Sequence, residues 1–389
     1  MSTYISSNAN RFYVAVESNY GQAAAVTSVN RFPAVHLNAH QHLEMNRRFD
    51  KTGTRTFPGV AKTSRRRTEF EVRTYLTSWT GTEQPSYGPL FQAAMGASPV
   101  YVAPLTIASA RNGTSAQTTA AHGLTIGSAV SFSNEIRFVT GVADGVSFSI
   151  NAPFTSAFQA GSVVSPSVTY RVATSLPSVT IYDYWDPITA VSRIITGAAV
   201  EEMNVTLNGD FHEFAFAGPA ADLVDSWSFS VSEAGLSAFP LEPAQAEFDY
   251  SIVPGHLGEV WIGGAANQFF TLVAADVRLR NNVQTRANEF GSALPRAVVP
   301  GLREVLMNFS LLAADDDQTL ALAIAAKQRS VVPAMLQLGQ QQGQLMGIFA
   351  PQVTPESPIF DDSEARLKWN FHDNVAQGTG NDEIYVAFA

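Results

Sequence analysis

The histidines and carboxylates are the first places to look for chemistry. His36, His40 and His42 cluster near the N-terminus and invite a metal reading. On a strand, four residues span about 13 Å at roughly 3.3 Å each, too far for one ion. On a helix His42 points away from the other two. The Asp315, Asp316, Asp317 triplet lacks the spaced oxygens and the glycine of a calcium loop, and it sits where a helix N-cap is expected. Asp361, Asp362 and Glu364, with Asp382 and Glu383, could be the paired carboxylates of a glycosidase, and a turn before a strand explains them equally well. No GxSxG, Walker loop, HExxH or dinucleotide fingerprint occurs. The expectation is a protein that is not an enzyme, with no catalytic residues, no metal and no cofactor.

The remaining feature is basic. Arg47, Arg48, Lys51, Arg55, Lys62, Arg65, Arg66 and Arg67 fall within residues 47–67, where Asp50 is the sole acid, in a chain of formal net charge -10. An acidic chain of pI near 5.2 is a poor holder of phosphate backbones. Only Phe49 and Phe57 interleave the cations, few for base stacking. Three readings stay open: a solvated loop, a nucleic-acid site, and a docking loop for an acidic surface on another copy of this chain. A basic loop on an acidic protein complements that protein itself, in a head-to-tail contact.

The elements that carry these residues are mostly strands. With 389 residues, 46% hydrophobic and 15% charged, the chain can fill two or three cores of ordinary size. It has no cysteine, so neither disulfides nor thiolate metal sites arise. The opening MSTYISSNANRFYVAVESNYG lacks an apolar signal core, and no run of about 18 apolar residues exists, which predicts a soluble protein made in the cytoplasm. The triplets at Asn112, Asn204 and Asn308 carry no weight as glycosylation sites without a secretion signal.

Residues 69–79 alternate, with Phe70, Val72, Thr74 and Leu76 on one face, and residues 301–312 alternate through Val305, Met307, Phe309 and Leu311. Each strand leads to a helical segment, 86–96 and 315–330, the second capped by Asp316 or Asp317. Each follows a polar loop with a central glycine, Gly53 or Gly291, and before that another strand, VHLNAHQHL or FFTLVAADVRL. The two patterns lie 238 residues apart when Gly53 is set against Gly291, a duplication of pattern with low identity. Residues 195–218 read as two strands joined at Asn208-Gly209, a hairpin signal. GQLMGIFAPQVT, ARLKWNFHD and DEIYVAFA are the closing strands. Residues 104–168, poor in charge and rich in Gly, Ser, Thr and Val, read as a small all-β domain inserted into a surface loop. The predicted fold is mainly β: two tandem β-sandwich domains, each with one short helix, comprising 1–103 with 169–240 and 241–389, plus the insert.

The succession RFDKTGTRTFPG, RRRTEFEVRTYLTSW, YGPLFQAAMG, SVTIYDYW, ITGAAVEEMNVTLNGDFHEFAFAG and RLKWNFHDNVAQGTGNDEIYVAFA resembles the tail tube (major tail) proteins of long, non-contractile-tailed bacteriophages. The likeness covers most of the chain outside 104–168, and its motifs are patterns of strand, loop and glycine. It implies a β-sandwich with a flanking helix and a long loop, assembled into rings that stack as a hollow tube. Inner strands line the channel and the long loop reaches the next ring, which assigns Arg47 to Arg67 an inter-ring role. A duplicated fold implies a trimeric ring with pseudo-sixfold symmetry in the virion tail. The implied partners are other copies of the chain and the tape measure, tail terminator and distal tail proteins, with DNA passing unbound through the channel. The length and the insert depart from simpler members and leave room for a tail hub or baseplate ring.

Elementary physics fits the resemblance. An acidic channel repels sliding phosphate, and exposed sheet edges can pair between subunits into a barrel. Two other classes compete. All-β content, Trp185, Trp227, Trp261, Trp369 and loose carboxylates suggest a carbohydrate-binding module or glycosidase, although tryptophans also serve core and interface packing. The arginine run suggests nucleic-acid binding, which would be steeply salt-dependent.

Overall fold

In the computed structural model the chain is mainly β with several sheets and two α-helices among the described residues, which are 4–60, 64–79, 84–207, 209–244, 251–263, 267–269 and 271–389. The largest sheet runs through the whole molecule. Its order begins Ala34–Leu43, Arg66–Tyr75, Glu213–Ala220, Glu202–Leu207, Leu272–Arg280, Glu304–Leu312 and Lys368–Ala376, all antiparallel, and it continues from Lys368–Ala376 into Met346–Thr354, Val332–Leu338 and Gly258–Ile262. Alternation builds this sheet: Thr68, Phe70, Val72 and Thr74 point to the core while Glu69, Glu71 and Arg73 face out.

A second layer covers the first half of that sheet. It consists of Asn10–Val16, Val179–Trp185, Arg193–Ala198 and Asp222–Asp225, with the helix Gly88–Met95 buried between layers. Phe91 of the helix meets Phe214 at 5.2 Å and Phe216 at 5.1 Å between ring centres, both edge-on, the arrangement aromatic quadrupoles favour. The second half repeats the plan. Gly258–Ile262, Val332–Leu338, Met346–Thr354 and Tyr385–Phe388 pair in the order of the first half's second layer, and Ile359–Asp361 pairs with Lys368–Ala376 as Glu202–Leu207 pairs with Glu213–Ala220.

The repeat extends to irregularities. The register shifts between Ala34 and His36 and again between Leu272 and Ala274; it shifts between Val179 and Ile181 and again between Val332 and Ala334. Bulges bend a strand at a set point, so these two recurrences anchor the match between the halves, while the shift between Met307 and Phe309 has no counterpart between Arg66–Tyr75 and Glu213–Ala220. Ala34 then matches Leu272, an offset equal to that of Gly53 and Gly291.

The expected elements are adjusted in three places. The anticipated strand 195–207 breaks at 199–201, so that Arg193–Ala198 lies in one layer and Glu202–Leu207 in the other. Gly218 presses on this corner: a Cβ there would sit 2.1 Å from the Ala199 carbonyl oxygen. The hairpin that follows is closed by Thr206 opposite Glu213 with a six-residue turn; Asn208 lies outside the described residues. The strand Ser167–Arg171 pairs with the C-terminal Tyr385–Phe388, so a boundary at 168/169 cuts through a strand that joins the chain's two halves. Helix Asp317–Gln328 begins where expected, with the Asp316 carboxylate accepting from Thr319 N at 2.7 Å.

Residues 105–164 form a separate six-stranded sheet with its own core of Ile107, Val130, Val139, Phe148 and Ile150. It does more than cap a loop. Ile136 and Phe138 pack with Trp261, Met335, Phe349 and Tyr385, on the outer face of the second half. At Gly127 a Cβ would lie 2.1 Å from Tyr385 Cε1, so only glycine permits this approach.

Candidate assembly surfaces

The basic loop divides into two parts. Arg47, Arg48, Lys51 and Arg55 are exposed, with Arg47 bridged to Val60 and Arg48 paired to Asp50. Arg65, Arg66 and Arg67 instead stand at the root of the loop and meet partners within the chain. Arg65 Nη2 donates to Asn288 O at 3.3 Å, Arg66 Nη1 lies 3.3 Å from Asp222, and Arg67 Nη2 lies 2.8 Å from Glu44. Arg66 N also donates to Ala293 O at 2.9 Å, which ties the root of this loop to the loop around Gly291. Lys62 lies outside the described residues.

Beside the exposed cations stand apolar side chains that charge counting passes over. Met45, Phe49 and Phe57 are exposed on the first loop and Phe290 and Leu302 on the second. Exposed apolar groups mark a contact surface where they join into one patch, and here they stand on two otherwise polar loops. The legible signal was an aromatic close to each central glycine.

The outward face of the large sheet is polar and ion-paired. Arg73 contacts Glu71 at 2.8 Å and Glu213 at 3.7 Å, while Arg278 and Arg280 share Glu202 at 2.6 and 3.2 Å. His36, Asn38, His40 and His42 line one exposed face of Ala34–Leu43, the sheet's first edge. Among the described residues no group of three His, Cys, Asp or Glu side chains is placed to hold a metal. The carboxylates suspected of paired chemistry lie apart in role: Asp361 accepts from Ser363 N, Glu364 pairs with Lys368, Asp382 caps the turn at Thr379 and Gly380, and Glu383 pairs with Arg303.

The tryptophans also separate. Trp261 is buried under Arg137, Trp369 stacks on Phe360 at 5.3 Å, and Trp227 is exposed near the segment that covers the first outer layer.

The two ends of the large sheet form the most informative surface. Within the chain, Glu202–Leu207 pairs with Leu272–Arg280, Val205 opposite Val277 and Thr206 opposite Asp276, and Val205 is wholly buried. The repeat places Phe360 at Val205's position, since Asp361 opposite Lys368 matches Thr206 opposite Glu213. Phe360 is 64% exposed. At the other end Ala39 stands where Val277 stands, on an edge that no strand of the described residues covers. One half thus ends in a strand of the kind that the other half begins by accepting.

No family model matches the chain, and no curated protein matches it. No helix among the described residues is long and apolar enough to cross a membrane.

Proposed function

We propose that this chain is a structural virion protein, a tail tube (major tail) protein of a bacteriophage whose copies form rings that stack into a conduit for DNA ejection. Its fold on this reading is two tandem β-sandwich domains of one plan, each with a short helix, and an inserted β-domain fixed to the outside of the second. The single observation that carries the proposal is the seam between Glu202–Leu207 and Leu272–Arg280. It joins two equivalent halves head to tail and leaves two matching strands, Ile359–Asp361 as a short branch on Lys368–Ala376 and Ala34–Leu43 at one end of the sheet.

Such a contact is heterologous: each copy offers one edge and accepts another, so copies add until the rotation closes a ring. Edge strands with unpaired backbone groups are a liability in a monomer and a joint in an assembly. Three copies supply six halves, the pseudo-sixfold ring that the resemblance implies. The ion-paired outward face of the large sheet becomes the channel wall, in which arginines are neutralised by Glu71, Glu202 and Glu213 and offer little to phosphate. The loops around Gly53 and Gly291, with exposed Phe49 and Phe290, reach the neighbouring ring. The tape measure, tail terminator and distal tail proteins meet the ends of the stack.

Electron microscopy of the purified protein at rising concentration, with mass by light scattering, tests the reading. Trimeric rings or hollow tubes support it; a monomer at every concentration contradicts it.

A further inference from the structure

The internal seam has a second part beyond strand pairing. The turn after Glu202–Leu207 seats on the segment before Gly258–Ile262: Phe211 bridges to Pro254, Gly255 N donates to Asp210 O at 3.1 Å, and His212 Nε2 lies 2.9 Å from Leu257 O. The fit is close, for a Cβ on Gly255 would stand 2.3 Å from Gly209 O. Leu207 and His212, at the ends of the turn, line a cavity with Leu257, Glu259, Gln268 and Phe269.

The first half has the equivalent socket. Strand registers place Asn10 at Gly258, Arg11 at Glu259, Arg31 at Gln268 and Trp185 at Leu338. These residues, with Arg193 and His36, line a cavity of about 480 Å³, and no acidic residue is among its lining. Glu242 holds Arg11 and lies within electrostatic reach of Arg31, Asp183 holds Arg193, and Asp186 is within electrostatic reach of Arg11. No turn equivalent to 207–212 lines this socket among the described residues.

The second half has the equivalent turn. Residues 362–367 connect Asp361 to Lys368 with the same six-residue length as 207–212, and 362–367 are exposed. Where the first turn begins with Leu207 and carries Asp210, this one begins with the exposed Asp362, followed by Glu364, whose partner is Lys368, and by the exposed Arg366.

We infer that the 362–367 turn of one copy seats in the Arg11–Arg31–Trp185 socket of the next copy, as Asp210, Phe211 and His212 seat against Pro254, Gly255 and Leu257 within the chain. The inference rests on the ring reading and names its partner: a second copy of this chain, recognised by Asp362 of its turn set against Arg31 of the socket. The exchange of Leu207 for Asp362 and of Gln268 for Arg31 puts opposite charges into the joint between copies at two positions that are uncharged in the joint within the chain. Copies therefore find each other through a contact that salt weakens, while the two halves of one chain stay joined.

The test is charge reversal and compensation, with the concentration of half-assembly read by light scattering and the fold of each variant checked by circular dichroism. Asp362→Lys and Arg31→Glu each raise the half-assembly concentration by at least about tenfold, and the double variant returns to within about threefold of the unmodified protein. Single variants that assemble normally, or a double variant no better than the singles, overturn the inference and leave the ring reading standing. An unmodified protein that stays monomeric overturns both.

Discussion

The guanidinium of Arg137 lies 3.9 Å from the centre of the Trp261 ring and 2.9 Å from Glu135, with its side chain fully buried. The arginine belongs to the inserted sheet and the tryptophan to the second half of the chain. Burial lowers the Arg137 pKa to about 10, although Glu135 and Glu259 pull it upward. Gln337 Oε1 accepts from Ile136 N at 3.0 Å and from Arg137 at 3.3 Å, which closes the contact. A cation so enclosed is held by its partners, and removing it strands Glu135. Arg137→Ala should destabilise the protein by about 3–5 kcal/mol in urea unfolding. A loss below about 1 kcal/mol would contradict this account of how the insert is fixed.

Glu242 ties the chain that follows Asp222–Asp225 to Arg11 and Tyr13 of Asn10–Val16. Burial pushes its carboxyl upward, yet hydrogen bonds from Arg11 and Tyr13 prevail and its pKa is lowered in the folded protein. A depressed folded pKa contributes stability that is present above the unfolded value and is lost as pH falls through the folded one. Glu242→Gln should therefore be less stable than the unmodified protein at pH 7, with the difference shrinking below about pH 4.5, the ordinary value for the group. Unfolding curves of both proteins from pH 7 to 3 measure it; a gap that widens in acid refutes the assignment.

Phe360 and Val205 hold equivalent positions with opposite burial, and their substitutions should part accordingly. Phe360→Lys forfeits the stacking on Trp369 and costs the monomer about 1 kcal/mol. Val205→Lys places a charge inside the core and should unfold the protein. On the ring reading, Phe360→Lys folds yet no longer assembles. Rings from that variant would show that the edge is not a joint.

For the long loop, the structure redirects the obvious experiment. Reversing Arg65, Arg66 and Arg67 also breaks contacts with Asn288, Asp222 and Glu44. Arg47, Lys51 and Arg55 are exposed, and their joint replacement by Glu should leave rings intact and stop their stacking into tubes. Sedimentation and microscopy distinguish the two; tubes of normal length would exclude an inter-ring role for these cations.

How much of this was legible in the sequence depends on the range of the forces involved. Alternation such as Phe70, Val72 and Thr74 against Glu69, Glu71 and Arg73 is local, and the strand could be read directly. Asp316 announced its helix for the same reason. The spacing of Gly53 and Gly291 carried the offset that the bulges at Ala34 and Leu272 repeat, because a long loop between two strands constrains both. The pairing of Ser167–Arg171 with Tyr385–Phe388 could not be read, since more than 200 residues separate the partners and neither strand marks the other. Arg137 passed as one of few charges in a polar segment; only the tertiary structure shows it under Trp261. The exposure of Phe360 was equally hidden, as an aromatic residue on a short strand reads as core.

The central claim is that copies join in the register of the internal seam, which places Asp361 of one copy opposite Asn38 of the next, as Thr206 stands opposite Asp276. The chain has no cysteine, so Asn38→Cys with Asp361→Cys introduces its only thiols. Directly opposed strand residues lie about 4.5–5.5 Å apart between Cα atoms, within the range a disulfide spans. Oxidation at assembling concentration, followed by denaturing electrophoresis, should yield covalent trimers. Monomers alone, or equal cross-linking by the displaced pair Asn38→Cys with Ile359→Cys, would contradict it.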